Sequence, residues 1–346
     1  VIDEMNGRRV FVVTDPGVCA APPTGDVVRS VLDGGRETEV FDAVHANPTS
    51  ELVDRGVCLA RAFGPDVIVG LGGGSAMDCA KGINFVLTNG GRIEDYQGFG
   101  KAQKAMLPGI GIPTTAGTGS EAQSYALISR SDTHEKMACG DRKARFRTVL
   151  LDPELVATTP DEVRARAGLD AIAHALESYV TKTRTPVSRL FSEEAWSLLD
   201  GSFERYYENP EDVDAASDVL LGAHFAGTAI EASMLGAAHA CANPLTARYD
   251  LAHGEAVAVM LPHVIAFNAA GDASLYAGLG MTPEALVNRV MALRAGVGLR
   301  ERLSSCGVEH AALPALAREA YKQWTGAHNP RPVDVGAYES LYAAAF

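Results

Sequence analysis

The sequence predicts an α/β N-terminal domain with a largely parallel sheet, followed by an all-helical C-terminal domain. Three observations carry this. Buried-strand runs alternate with helical apolar spacing up to about residue 155, glycine-rich turns follow two of those strands, and strand signals almost vanish from Pro160 onward. We place the domains at 1–155 and 156–346, with Leu151 to Leu155 as the hinge. A chain of 346 residues, 47% hydrophobic and 21% charged, has the composition of a soluble globular protein and the length of two domains.

The elements of the first domain follow in order. Arg9 to Thr14 is a buried-strand run and Thr38 to Phe41 a second strand. Leu52 to Phe63 has the apolar spacing of a helix, and Asp66 to Leu71 is a strand that ends in glycines. Ser75 to Leu87 reads as a helix. Gly109 to Thr115 is a further strand leading into a second glycine turn, and Tyr125 to Ser129 and Phe146 to Leu151 can form extended edges. In the second domain, Ala-, Leu- and Glu-rich segments are broken by Pro186, Pro210, Pro244, Pro262 and Pro283, as expected of successive helices.

The first glycine turn runs Leu71 to Lys81 through Gly72, Gly73, Gly74 and Ser75. Glycines let a backbone approach a phosphate, and the N–H groups opening the next helix point at the anion with the helix dipole behind them. The spacing is neither GxGxxG nor the P-loop pattern, so a tight strand-to-helix turn explains it as well. The second turn, Pro113 to Glu121, sets small hydroxyl groups on a glycine backbone that can hydrogen-bond a ribose, a phosphate or a carboxamide; alone, it also fits an ordinary polar loop. Both turns follow strands, where open α/β sheets bind ligands.

The helical half carries a metal-site pattern. Asp170 and His174 stand four apart in an apolar run, so on a helix they project from one face. His239 lies in a small-residue stretch, and His253 precedes Gly254 where another helix starts. A single buried histidine is most often a hydrogen-bonded core residue. A carboxylate and three imidazoles in apolar surroundings form a ligand set for a first-row divalent metal.

A formal net charge of -13 and a pI near 5.2 oppose binding to nucleic acid or an acidic membrane, because counterion release needs clustered Lys and Arg. The one basic cluster, Arg142 to Arg147, fits a solvated face as well as an anion site. Six cysteines (Cys19, Cys58, Cys79, Cys139, Cys241 and Cys306) show no CxxC pair, which reads as free thiols in a reducing compartment. No apolar run reaches the ~20 residues of a membrane span. The N-terminus lacks a charged-then-apolar leader pattern, which makes a cytoplasmic location the expectation. The chain opens on Val1 rather than Met, so residues are expected upstream.

The segments Gly72 to Lys81, Pro113 to Glu121, Gly168 to Glu177, and His239 through His253 and Gly254 resemble the iron-containing (group III metal-dependent) alcohol dehydrogenases, in the family's order and spacing. The resemblance covers nearly the whole chain. It implies an N-terminal α/β dinucleotide-binding domain and a C-terminal helical domain with Asp170, His174, His239 and His253 as metal ligands. It also implies that Gly73, Gly74, Ser75 and Asp78 hold the pyrophosphate and neighbouring cofactor groups, that Thr114, Thr115 and Thr118 lie along the ribose and nicotinamide, and that Lys136 reaches the nicotinamide-side ribose. On pattern alone Lys136 is a surface lysine. Asp15 matches an acidic position near the adenosine ribose; a carboxylate there accepts from a free 2′-hydroxyl and repels a 2′-phosphate, favouring NAD over NADP.

One position departs from the family: Asn243 stands where many members have a histidine assigned to proton relay. An amide hydrogen-bonds but does not exchange protons near neutral pH. His263 also fits the family pattern and reads as structural. The implied function is an NAD(H)-dependent alcohol dehydrogenase or aldehyde reductase acting on a small-molecule alcohol or aldehyde, with a divalent metal, iron(II) or zinc(II), polarising the substrate oxygen. A homodimer or larger homo-oligomer is implied as well. The alternatives are a dehydroquinate-synthase-like NAD- and metal-dependent lyase, for which this half lacks a phosphate-binding Lys/Arg cluster, and a non-catalytic NAD- and metal-binding relative.

Overall fold

The structure, a computed structural model, describes every residue except Asn6 and His134. It divides into two compact units, Val1–Thr115 with Ser120–Thr159, and Ala116–Gly119 with Pro160–Phe346.

The first unit is built on a five-stranded sheet in the order β2-β1-β3-β5-β8, with every pairing parallel. Its strands are β1 (Arg9–Val13), β2 (Glu37–Phe41), β3 (Val67–Gly72), β5 (Gly109–Pro113) and β8 (Thr148–Val149). Side chains alternate between the faces of β1: Phe11 and Val13 enter one apolar cluster, Val10 and Val12 the other. Both faces are therefore buried, as parallel sheets require, and the strands read as continuous apolar runs for that reason. Helices α3 (Ser50–Phe63) and α4 (Gly74–Asn89) supply Leu52, Val53, Val57, Ile83 and Val86 to the first cluster. Val18 of α1 (Pro16–Ala20), Val28 of α2 (Thr24–Leu32) and Leu155 of α5 (Pro153–Val156) join the second.

The two predicted extended edges separate. Tyr125–Ser129 is β6, which pairs antiparallel with β7 (Lys136–Gly140) in a second, three-stranded sheet completed by β4 (Gly98–Phe99). The Phe146 to Leu151 run contributes only β8, alongside β5. Residues 152–156 form a short turn of helix, α5, begun by the Asp152 side chain accepting from Glu154 N–H at 3.0 Å.

The second unit contains helices α6 (Asp161–Val180), α7 (Pro186–Glu208), α8 (Val213–Ser233), α9 (Ala237–Tyr249), α10 (His253–Gly271), α11 (Pro283–Gly296), α12 (Leu313–Tyr321) and α13 (Val335–Ala344). Pro186 and Pro283 open their helices, where the missing N–H costs nothing. Pro244 and Pro262, expected to end helices, lie inside α9 and α10. A proline strips the carbonyl four residues earlier of its donor. For Pro262 that carbonyl is Ala258 O, and the buried Arg294 guanidinium of α11 approaches it at 3.4 Å. Near Pro244, the Tyr342 hydroxyl donates to Cys241 O at 2.7 Å.

Helix α10 is 19 residues long and apolar enough to cross a membrane, yet 67% of that stretch is buried inside the fold, as in a central core helix. Close approach of helices depends on glycines. A Cβ at Gly254 would fall 2.1 Å from the Arg166 carbonyl oxygen of α6, and one at Gly168 would fall 2.0 Å from the Phe203 ring of α7.

Candidate metal centre and cofactor turn

Asp170 and His174 lie one turn apart on α6, His239 stands in the first turn of α9, and His253 is the first residue of α10. The structure brings all four together. The Nε2 atoms of His239, His174 and His253 lie 3.3, 3.5 and 3.9 Å from Asp170 Oδ1. The His174 and His239 rings stack at 4.9 Å, and His239 and His253 are tilted at 5.3 Å. Four donors ~2.1 Å from one tetrahedral centre would be about 3.4 Å apart, so these separations suit a shared ion.

Asp170, His174 and His239 alone form a buried group whose donor atoms lie within 4.8 Å of one another. Asp170 Oδ1 and His239 Nε2 are buried 3.3 Å apart, and neither atom has a hydrogen-bond partner. Unpaired buried polar atoms are costly, and a cation between them removes the cost. The donor set therefore fits a divalent metal.

The electrostatics agree. Burial penalises the Asp170 carboxylate, but the facing imidazoles of His174, His239 and His253 outweigh it and hold the group below its ordinary range. Burial lowers the His174 pKa despite Asp170 beside it. Burial also disfavours the His239 imidazolium, but Asp170 and Glu177 overcome it and push that ring up to about 9. An arriving cation would displace that proton.

Glu177 is a residue whose role the sequence reading missed. Its carboxylate meets His239 Nδ1 at 2.6 Å, and its only advance sign was an acid three residues after His174 in an apolar run. Asn243 lies one turn after His239, and its side-chain amide donates to Gln323 Oε1 at 3.0 Å. Burial, then the Arg294 charge, lowers the pKa of His263, which stands ten positions beyond His253 on α10.

The first unit holds the cofactor candidates. The chain leaves β1 for β2 on one side and returns to β3 on the other, so the turns after β1 and β3 diverge at a topological switch point. Asp15 follows β1, and Gly73 and Gly74 follow β3. Gly72 has φ 145 and room for no side chain: a Cβ would meet Ala76 at 2.8 Å and Asp15 Oδ2 at 3.3 Å. Helix α4 opens at Gly74 and Ser75 with no side-chain cap and no acid in its first turn, leaving its N–H groups for an anion. One oxygen of Asp15 is engaged, accepting from Val18 N–H at 3.0 Å.

Thr114 and Thr115 follow β5, beside β3; Thr114 N–H donates to Gly72 O at 3.0 Å, and a Cβ on Gly73 would lie 3.3 Å from Thr115 Oγ1. Thr118 belongs to the second unit. Asp78 is buried in α4, which raises its pKa even though Lys81, the Ser120 hydroxyl and, more weakly, the exposed Lys136 of β7 oppose the shift. Lys81, also overlooked, is 1% exposed and donates to Ser120 O at 2.6 Å, Ser120 Oγ at 3.1 Å and Tyr125 O at 2.8 Å. Ser120 in turn donates to Asp78 Oδ1, so one buried network ties α4 to the turn after β5.

Known proteins match this arrangement along its length. Residues 1–153 match the family model described as iron-containing alcohol dehydrogenase, and residues 164–346 match the C-terminal model of the Fe-containing alcohol dehydrogenase family. Alcohol dehydrogenase 4 of Schizosaccharomyces pombe is 34% identical over 338 residues, covering 94% of this chain and 80% of its own. The NAD-dependent methanol dehydrogenase of Bacillus methanolicus is 31% identical, over 96% and 91%. The solved structure of an alcohol dehydrogenase from Oenococcus oeni superposes with TM-score 0.96 at 25% identity, over 100% of this chain and 94% of that one. The chain belongs to the iron-containing alcohol dehydrogenase family.

Proposed function

We propose that the protein is an NAD(H)-dependent alcohol dehydrogenase or aldehyde reductase whose divalent metal, iron(II) with zinc(II) as an alternative occupant, is held by Asp170, His174, His239 and His253. The convergence of three imidazole Nε2 atoms on one ionised, buried carboxylate oxygen carries this reading. The ion would supply Lewis-acid polarisation of an alcohol or aldehyde oxygen.

The chain's own residues do the rest. Asp170 contributes one negative charge and the neutral rings none, so the site keeps net positive charge toward substrate. His253, whose side chain is 29% exposed against 7% or less for Asp170, His174 and His239, is the ligand open to solvent. The uncapped start of α4 at Gly73, Gly74 and Ser75 offers N–H groups to a pyrophosphate. Asp78, Thr114, Thr115, Thr118 and Lys136 supply polar groups for the nicotinamide half, and Asp15, at the switch point, favours a free 2′-hydroxyl and hence NAD. Asn243 donates to Gln323 and cannot relay a proton at neutral pH, so a relay would need water, the ribose of a bound cofactor or another side chain, and without one activity toward simple alcohols is reduced. The name of the Bacillus methanolicus relative supports NAD as the nicotinamide. The six free thiols support a cytoplasmic location, and a homo-oligomer is part of the same proposal.

The test is NADH oxidation against an aldehyde panel after Fe(II) reconstitution, with His253→Ala as control. Turnover by the wild type and its loss in the variant are expected; full activity in the variant would remove His253 from the ligand set.

A further inference from the structure

We propose that Glu177 is a positioning residue that locks His239 in its Nδ1–H tautomer and so reserves the Nε2 lone pair for the metal. The inference rests on the ligand reading above and concerns a residue outside that ligand set.

Glu177 is a buried acid on α6, one turn beyond His174. Among the described residues no Lys or Arg forms an ion pair with it; its partner is His239. Three N–H groups converge on the carboxylate. Oε1 takes Ala238 N–H at 2.7 Å, while Oε2 takes His239 Nδ1 at 2.6 Å and lies 3.4 Å from His239 N. Both carboxylate oxygens already accept from backbone N–H groups, and with Oε2 accepting from the ring as well Nδ1 carries the hydrogen. In the neutral ring Nε2 is then the free donor atom, and it faces Asp170 Oδ1 at 3.3 Å. Carboxylates that orient metal-bound imidazoles in this way raise ligand basicity and fix ring orientation.

The backbone is shaped for this contact. Gly236, which precedes α9, has no side chain to cap the helix, and a Cβ there would fall 2.8 Å from Glu177 Oε1 and 2.9 Å from Asn329 Oδ1. Asn329 Oδ1 accepts from Ala237 N–H at 3.2 Å and is held by Asn268. The start of α9 thus has two acceptors borrowed from elsewhere in the unit, and only Glu177 also touches the histidine ring. Capping and tautomer control are separable on that basis.

The experiment is Co(II) titration of the metal-free full chain by chelator competition, with the visible d–d spectrum recorded. Glu177→Gln keeps the volume but turns an NH₂ toward either Ala238 N–H or His239 Nδ1. The first leaves two donors facing each other, and the second forces the hydrogen onto Nε2. We expect Co(II) affinity to fall about 10–100-fold with a changed spectrum. Asn329→Ala, which removes the Ala237 cap acceptor and the hydrogen bonds to Asn268 and Arg331 O but leaves the Glu177–His239 contact in place, is expected to lower Tm and leave Co(II) affinity and spectrum unchanged. Wild-type affinity and spectrum in Glu177→Gln, or an equal Co(II) loss in Asn329→Ala, would overturn the proposal. Should Glu177→Gln fail to fold, ring-¹⁵N NMR of the Zn(II)-loaded wild type decides: an exchange-protected Nδ1–H on His239 supports the lock, and its absence overturns it. Failure of the wild type to bind Co(II) would instead overturn the ligand reading beneath it.

Discussion

Replacing Gly254 by alanine tests how the metal centre is assembled from separate helices. The added Cβ falls 2.1 Å from Arg166 O and 2.7 Å from its carbonyl carbon, whereas ordinary contact begins at 3.4 Å. Both obstacles are backbone atoms of α6, so no side-chain rotation relieves them, and the first turn of α10 must retreat by about 1 Å. Overpacking of this kind costs about 1–3 kcal/mol, occasionally more. At about 2–4 °C per kcal/mol for a domain of this size, Tm should fall by roughly 2–12 °C. His253 immediately precedes Gly254 and must move with it, while ligand distances tolerate only about 0.2 Å. Metal affinity should therefore fall together with Tm, read by calorimetry and Co(II) titration of the same samples. Gly201→Ala is the control, because a Cβ there meets nothing within 4 Å; it should stabilise α7 by about 0.5–1 kcal/mol. Wild-type Tm and affinity in Gly254→Ala would refute the packing argument.

Lys81→Met removes a buried ammonium from Ser120, Tyr125 and Asp78, and should cost about 3–5 kcal/mol and weaken NADH binding, read by denaturant unfolding and fluorescence titration. Undiminished NADH affinity would separate that network from the cofactor site. Asp15→Ala loses the Val18 cap, at about 1 kcal/mol, and should raise the kcat/KM ratio of NADPH to NADH; an unchanged ratio would remove Asp15 from ribose recognition. Dialysis against a chelator should lower Tm, because an ion bound only by the native state contributes about 2.7 kcal/mol at a hundred times its Kd. A Tm indifferent to chelation and to added metal would count against a tight site.

The sequence made the parallel sheet and the ligand cluster legible because each leaves a local signature. Strands β1, β3 and β5 are buried on both faces and read as unbroken apolar runs. Asp170 and His174 advertise themselves by helical spacing. Strand β7 left little trace: Lys136, Met137, Ala138, Cys139 and Gly140 make a short, weakly patterned run whose pairing belongs to a separate small sheet. Pro262 misled for a different reason. The missing donor is visible in sequence, but the Arg294 guanidinium that approaches Ala258 O stands 36 residues from that carbonyl. Glu177 was hidden likewise, since its meaning depends on the start of α9, 61 residues away.

The central claim is that one divalent ion is bound by three imidazoles and one carboxylate. X-ray absorption at the metal K-edge of the Fe(II)-reconstituted protein tests it most directly. The account predicts a nitrogen and oxygen shell at about 2.0–2.2 Å with imidazole multiple scattering from three rings, reduced to two rings in His253→Ala. A spectrum without imidazole scattering, or one unaltered by His253→Ala, would contradict it.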